Sequence, residues 1–180
     1  MLSYTPWRFY TDAQDIEETA SGDPREAVRR NALMKARSAA RKQPGDVIIG
    51  ADTLVYLPEE GRSLGKPRDA AEAADMLRAL SGRRHEVCTG VCVIGPDGRE
   101  FVRCDTADIW FMALTESMIT EYVATGEPMD KAGAYAMQDR GGQFVSRVDG
   151  SPTCVIGLSM PILYEMLGPY RDSLTERNSN

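Results

Sequence analysis

Histidine and lysine are scarce in this sequence. Its 180 residues include a single histidine, His85, and arginine supplies most of the 21 basic side chains. A Ser-His-Asp triad is therefore disfavoured, because there is no other histidine and His85, on a predicted strand, is of a kind that is more often packed or capping. No G-x-x-x-x-G-K-[ST] loop and no G-x-G-x-x-G motif occurs, which excludes the P-loop and Rossmann types of nucleotide site.

Long apolar runs are also missing. No stretch approaches the roughly 18 apolar residues of a membrane span, and the first residues lack the basic and apolar regions of a signal peptide. We therefore expect no membrane partner and a cytoplasmic location. The four cysteines show no zinc spacing and are expected to be reduced thiols. A net charge of -6 argues against a stable nucleic-acid partner, but nucleotides need only a local cluster of positive groups.

Helix and strand patterns alternate along the chain. Asp23 caps a helix that extends to about Ala40, and Asp69 and Thr115 cap two more. Strands are expected over residues 46–50, 85–94, 99–111 and 143–148, with a last helix near 160–167. This order predicts an α/β fold with a mixed sheet flanked by helices. We expect one domain over residues 1–170 and a polar tail over 171–180.

Three of the four lysines, Lys35, Lys66 and Lys131, lie where helices or strands meet turns and small residues. A compact ammonium suits one phosphate oxygen or a carboxylate better than a wide guanidinium fork does. Asp52 follows the first predicted strand, and Glu18 closes an acidic stretch. Carboxylates can hold Mg²⁺ and orient a water, while lysines neutralise phosphates, so the set suits phosphoanhydride hydrolysis. The alternative is a turn-capping aspartate among solvated lysines.

Short motifs are spread over nearly the whole chain. They are Asp15–Glu18, Ala32–Ala36, Ile49–Thr53, Leu64–Pro67, Leu80–Arg83, His85–Val91, Tyr122–Pro128, Asp130–Tyr135 and Gly157–Leu158. Each is weak alone, but together and in this order they resemble the Maf family of nucleoside triphosphate pyrophosphatases. The resemblance implies an α/β fold shared with inosine triphosphate pyrophosphatases, with the site in a cleft between two lobes.

The resemblance also implies a reaction and its residues. Asp52 would be the acid-base residue that takes a proton from the attacking water, and a divalent cation, Mg²⁺ or Mn²⁺, would be held by Glu18 and Asp52. Phosphates would be bound, or the carboxylates positioned, by Lys35, Lys66 and Lys131. The base would be recognised by Thr53 and Gln138.

The stretch Tyr135-Ala136-Met137-Gln138 resembles the subgroup that prefers dTTP and UTP. The implied function is hydrolysis of these nucleotides, and of modified pyrimidine nucleotides, to the monophosphate and pyrophosphate, which cleans the nucleotide pool. A homodimer is an assembly to be considered.

The start of the sequence departs from the family pattern. The family normally opens with a strand, a Ser-x-Ser-Pro-Arg-Arg loop and a helix, whereas Trp7–Tyr10 already aligns with the segment after that helix. We therefore expect weaker binding of the triphosphate and a less stable fold. Two alternatives stay open. One is a catalytically impaired form that acts as a binding or regulatory factor in cell division, and the other is a preference for 7-methyl-GTP.

Overall fold

The computed structural model describes residues 22–170, in which helices and strands alternate. The helices are α1 Pro24–Lys42, α2 Ala70–Leu80, α3 Glu116–Val123, α4 Pro152–Ile156 and α5 Met160–Met166. The strands are β1 Ile48–Leu57, β2 Arg62–Leu64, β3 Arg84–Ile94, β4 Glu100–Phe111 and β5 Val145–Asp149. The predicted α/β class is thus confirmed. Glu18 and the predicted tail over 171–180 lie outside the described residues, so both stay predictions.

The helices begin where the capping residues place them. The Asp23 carboxylate accepts a hydrogen bond from the backbone N–H of Arg25, and Asp69 and Thr115 do the same for Glu72 and Met118. These bonds satisfy amide groups that have no partner within the helix. None of the helices that the structure describes combines the length and apolar character that a membrane crossing needs.

The strands form one five-stranded sheet in the order β2-β1-β3-β4-β5. Every pairing within residues 22–170 is antiparallel, so no parallel pair of the expected mixed sheet occurs in that part of the chain. β2 is short and covers only Val55–Leu57 of β1. In the described part of the chain, the rest of that edge of β1 borders a cleft and not another strand.

β1 extends seven residues beyond its predicted end at Gly50, so Asp52 and Thr53 lie inside a strand and not after one. The prediction took Gly50 as the end of the strand, and it was wrong. The glycine serves close packing, because a Cβ at Gly50 would lie 2.5 Å from the carbonyl oxygen of Ala32 on α1. β2 and α4, which are three and five residues long, were not predicted from the sequence.

The two faces of the sheet carry different layers. α1 covers one face, where alanines of the helix pack on Ile48, Cys92 and Ile94. On the other face, α2, α3 and the short 3₁₀ turns after α3 build the larger cluster around Leu77 and Phe144, and α5 builds a second cluster. β1 is therefore bordered by both layers.

Candidate active site

A cleft of about 270 Å³ lies at the edge of β1 where no strand among residues 22–170 pairs with it. Its walls come from residues 51–55 of β1, the turn after β2, the segment 130–139 and the end of α4. It brings together six of the predicted site residues: Lys35, Asp52, Thr53, Lys66, Lys131 and Gln138. Asp130 and Asp139 also line it. The seventh predicted residue, Glu18, lies outside the described residues.

Asp52 lies at the α1 side of this cleft, with 4% of its side chain exposed. Lys35 Nζ donates to Asp52 Oδ1 at 2.5 Å, and Asn31 Nδ2 donates to Asp52 Oδ2 at 2.8 Å. A buried carboxylate is costly unless a cation and hydrogen bonds compensate it, and α1 supplies a cation and an amide donor. Asp52 is thus not the turn cap of the alternative interpretation. Its carboxylate is held in place at the cleft.

Asn31 was not among the predicted site residues. It is 1% exposed and lies one helical turn before Lys35, in the stripe of α1 that otherwise contains small apolar residues such as Ala32 and Ala36. Residues four apart on a helix lie on the same face, so Asn31 and Lys35 approach Asp52 together. The sequence signal that could have indicated Asn31 is an asparagine in the apolar stripe of a helix, one turn before a lysine. Such an amide is buried and needs a hydrogen-bond partner.

Two glycines bring α1 close enough for these contacts. Gly90 of β3 pairs across the sheet with Asp52, and Gly50 precedes Asp52 by two residues on the same face. A Cβ at Gly90 would lie 2.2 Å from the carbonyl oxygen of Val28, nearer than real Cβ atoms approach. The backbone of α1 therefore rests directly on the sheet around Asp52.

Thr53 faces the opposite side of β1, because successive residues of a strand point to opposite faces. Its hydroxyl lies 2.8 Å from the hydroxyl of Thr89, which in turn donates to the carbonyl oxygen of Cys154 at 2.7 Å. Gly157, after α4, lies beside the Thr53 hydroxyl and also lines the cleft. β1 therefore divides the cleft into an Asp52 side and a Thr53 side.

The segment 130–139 forms the wall on the Thr53 side. Gly133 has φ +67°, and its N–H donates to the carbonyl of Gly65 at 3.0 Å. This bond links the segment to the turn that carries Lys66. Ala134 also has a positive φ, of 61°, which is uncommon for a residue with a side chain. Gln138 is exposed at this wall.

A buried pair anchors the same segment to the sheet. Tyr135 hydroxyl and His85 Nε2 lie 3.0 Å apart, and the two rings meet edge to face. His85 is fully buried, and burial, together with the charge of Arg84, lowers its pKa to about 3. His85 is therefore neutral near pH 7 and serves as an anchor for Tyr135, not as a cation of the cleft.

The three lysines of the cleft differ in exposure. Lys35 is engaged with buried Asp52, whereas Lys66 is exposed and Lys131 is partly exposed with its Nζ 3.0 Å from Asp130 Oδ2. A surface pair such as Lys131–Asp130 is weak and can yield to a stronger anion. Lys66 and Lys131 are thus accessible in the cleft, whereas the ammonium group of Lys35 contacts the Asp52 carboxylate.

The side chains of the cleft can be compared with the ligands that the implied divalent cation needs. Within residues 22–170 no group of three His, Cys, Asp or Glu side chains is close enough to hold a metal ion by itself. Mg²⁺, however, is commonly bound through one or two carboxylates plus substrate phosphates, with waters completing the shell. A carboxylate has about four lone-pair sites, so a group that accepts from Lys35 and Asn31 can also be a metal ligand. The residues present therefore fit a metal that arrives with the nucleotide.

The four cysteines are not candidates for the nucleophile. They are free thiols, and burial raises the pKa of Cys88, Cys92 and Cys154 to about 12 and that of Cys104 to about 11. Because the thiolate is the reactive form, these groups are inert near neutral pH.

Comparison with known proteins identifies the family. The profile described as Maf-like protein matches residues 1–169. A dTTP/UTP pyrophosphatase of Koribacter versatilis is 43% identical over 149 residues, which cover 83% of this chain and 76% of that protein. Those of Thermococcus gammatolerans and Anaeromyxobacter dehalogenans are 42% and 50% identical, covering 88% and 76% of this chain and 83% and 71% of those proteins. The chain belongs to the Maf-like protein family, as the sequence predicted.

A solved structure shows a weaker likeness. The nucleoside-triphosphatase / dITP/XTP pyrophosphatase from Mycobacterium abscessus matches with a TM-score of 0.43 and 15% identity, covering 90% of this chain and 77% of that chain. This likeness is too low to assign any residue of the cleft.

Proposed function

We propose that this chain hydrolyses dTTP and UTP to the nucleoside monophosphate and pyrophosphate, and so cleans the nucleotide pool. The observation that carries the proposal is the buried Asp52 carboxylate, held by Lys35 and Asn31 in a cleft that also contains Lys66 and Lys131. The family and the names of its dTTP/UTP pyrophosphatase members support the reaction and the bases. These nucleotides are metabolites of the cytosol, and we propose that the protein acts there.

In the proposed reaction a water attacks the α-phosphorus. A bond forms between the water oxygen and that phosphorus, the bond to the bridging oxygen breaks, and its electron pair leaves with pyrophosphate. Asp52 takes the proton of the attacking water and later releases it to solvent. Lys35 and Asn31 keep the carboxylate in one orientation, while Lys66 and Lys131 stabilise negative charge on the leaving pyrophosphate.

A divalent cation belongs to the proposal as well. Asp52 would hold it on the protein side, with the predicted Glu18 as a second ligand. When bound, such a cation polarises phosphate oxygens and offsets their charge.

The opposite side of β1 is proposed to recognise the base. Thr53 and Gln138 line the cleft there, and the Gln138 amide offers both a donor and an acceptor to the edge of thymine or uracil. The catalytic and recognition groups would then meet the two ends of one nucleotide across the edge of β1.

Product analysis with a panel of nucleoside triphosphates tests the proposal. With Mg²⁺ or Mn²⁺ we expect the monophosphate and pyrophosphate from dTTP and UTP, slower release from CTP and GTP, and loss of activity with a chelator. Asp52→Asn keeps the size of the side chain but removes the base, and should lower kcat by about 10²–10⁴.

The matched control is Asp108→Asn. Asp108 is also a strand aspartate with a basic partner at 2.5 Å, Arg84, but it lies outside the cleft. This variant should keep the wild-type rate. Orthophosphate as the direct product, or an Asp52→Asn variant with more than half the activity of Asp108→Asn, would contradict the proposal.

A further inference from the structure

Three polar groups form a row on the Thr53 side of the sheet. Thr53 of β1 and Thr89 of β3 are partners in register, and their hydroxyl oxygens lie 2.8 Å apart. Thr89 Oγ1 lies 2.7 Å from the carbonyl oxygen of Cys154 on α4. Thr89 is completely buried, whereas Thr53 lines the cleft. The row therefore connects a fixed carbonyl in the core to a hydroxyl that can meet a ligand.

The hydrogen bonds of the row run in one direction, from Thr53 to Thr89 and from Thr89 to the carbonyl of Cys154. A carbonyl oxygen only accepts, so the single hydroxyl proton of Thr89 lies between Thr89 and Cys154. If that proton turned towards Thr53, two oxygens 2.7 Å apart would face each other with no proton between them. Thr89 can then only accept from its other neighbour, so Thr53 is the donor in the contact of 2.8 Å.

The carbonyl at the end of the row is held by the local fold. Cys154 is fully buried, and its carbonyl also accepts from the backbone N–H of Gly157 at 3.0 Å, which closes the end of α4. The Cys154 thiol lies near the carbonyl of Val87 on β3. The Cys154 carbonyl, which orients the Thr89 hydroxyl, therefore keeps its position when a ligand binds.

We infer that Thr89 determines base choice by fixing the proton of Thr53, so that Thr53 presents only lone pairs to the cleft and selects bases with an N3–H donor. This inference rests on the proposed function, in which Thr53 contacts the base. Uracil and thymine carry a proton on N3, whereas N3 of cytosine is an acceptor. Cytosine would place a lone pair against the lone pairs of Thr53, and an unmatched buried polar pair costs about 1–3 kcal/mol, or about fivefold to 150-fold in kcat/KM. Thr89 is thus a positioning residue, and Thr53 is the group that touches the base.

Thr89→Val tests the inference, since it keeps the shape and burial of the side chain but removes the hydroxyl. Thr53 can then rotate its own proton towards the ligand and donate to N3 of cytosine. We expect the ratio of kcat/KM for UTP over CTP to fall about fivefold or more, as loss of one such match predicts. Thr89→Ser keeps the hydroxyl and should keep the wild-type ratio within about twofold, which is below the effect of one hydrogen bond.

The control for lost stability is Ser159→Ala. Ser159 is also a fully buried hydroxyl on this side of the sheet, and it donates to Asp105 at 2.5 Å, but it does not line the cleft. It should lower the melting temperature without changing the ratio of UTP to CTP. A general loss of stability would move both variants alike, so a change of the ratio in Thr89→Val but not in Ser159→Ala reports an effect at the cleft.

Two outcomes would separate failure of this inference from failure of the proposed function. If the wild type releases pyrophosphate and Thr89→Val keeps the wild-type ratio, the inference is overturned and the proposed function stands. If the wild type releases no pyrophosphate, the proposed function fails. The inference about Thr89 is then tested by the ratio of dissociation constants for UMP and CMP. An unchanged binding ratio in Thr89→Val, or no binding of either nucleotide, would then overturn the inference too.

Discussion

The two sides of β1 are built in different ways. On the Asp52 side, the backbone of α1 rests on Gly50 and Gly90, and the helix delivers Asn31 and Lys35 to the carboxylate. On the Thr53 side, the wall is a segment of short 3₁₀ turns, with Gln138 exposed on it. One side is thus set by backbone packing against regular elements, and the other by turns and hydrogen bonds.

This difference between the two sides of β1 suits proton transfer on one side and base recognition on the other. Proton transfer needs a carboxylate that does not move, and direct packing of a helix on a sheet supplies this. Recognition of a base needs several polar groups at adjustable positions, and binding residues are commonly carried on loops held by a rigid scaffold. We therefore expect changes at Asn31, Lys35 and Asp52 to affect turnover with every nucleotide, and changes at Thr53 and Gln138 to affect the choice among nucleotides.

Among changes to the packing of the two sides, the largest effect is expected from adding one methyl group beneath α1. Gly90→Ala would place its Cβ 2.2 Å from the backbone oxygen of Val28, and backbone cannot move aside as a flexible side chain can. Overpacking of this kind typically costs about 1–3 kcal/mol, occasionally more. α1 would shift away from Asp52, so turnover with UTP and CTP should fall together. Chemical denaturation and steady-state rates measure both effects.

Gly168→Ala is the control for that variant. No atom lies within 4 Å of the added Cβ at Gly168, and its φ is not positive. It should leave stability and turnover close to those of the wild type. A Gly90→Ala protein as stable and as active as Gly168→Ala would show that the close packing of α1 is not needed to hold Asp52.

A smaller effect is the pH dependence of folding stability that comes from His85, which anchors the Thr53 side through Tyr135. His85 is the single histidine of the chain, and burial lowers its pKa from 6.5 to about 3. Below pH 6.5 the unfolded chain binds a proton at His85 while the folded chain does not, so stability falls as the pH falls towards 3. The slope from this residue approaches about 1.4 kcal/mol per pH unit.

His85→Gln removes this titration and keeps a polar group near Tyr135. Urea denaturation at several pH values between about 7 and 5 should show a steeper loss of stability in the wild type than in the variant. Equal slopes for the two proteins would mean that His85 is not kept neutral by burial, and the anchor of the Thr53 side would need another explanation.

Much of the fold was predictable because it depends on local chemistry. Asp23, Asp69 and Thr115 cap helices as their sequence contexts indicate, since a cap needs only its next few residues. The length of β1 was missed because Gly50 was taken as the end of the strand, whereas it lies within β1 where α1 packs closely against it. That contact is made by a separate helix, and no pattern within the strand contains it.

The candidate site divides in the same way. Asp52, Lys66 and Lys131 stand out by residue type and neighbourhood, so they could be located from the sequence, and the cleft brings them together. Thr89 could not be located, because its importance depends on the register of β1 against β3 and on the position of α4. Register is set by pairing between distant segments and not by the residues around Thr89.

The division of labour across β1 is tested most directly by comparing Asn31→Ala with Gln138→Ala. Asn31→Ala removes the donor 2.8 Å from Asp52 Oδ2, and loss of a hydrogen bond to a charged group costs about 1.5–3 kcal/mol. We predict that it lowers kcat for UTP and for CTP by the same factor, about tenfold or more, and leaves their kcat/KM ratio unchanged. Gln138→Ala should change that ratio and affect kcat for UTP less. If Asn31→Ala instead alters the ratio, or Gln138→Ala lowers both rates equally, the two sides of β1 do not have separate tasks.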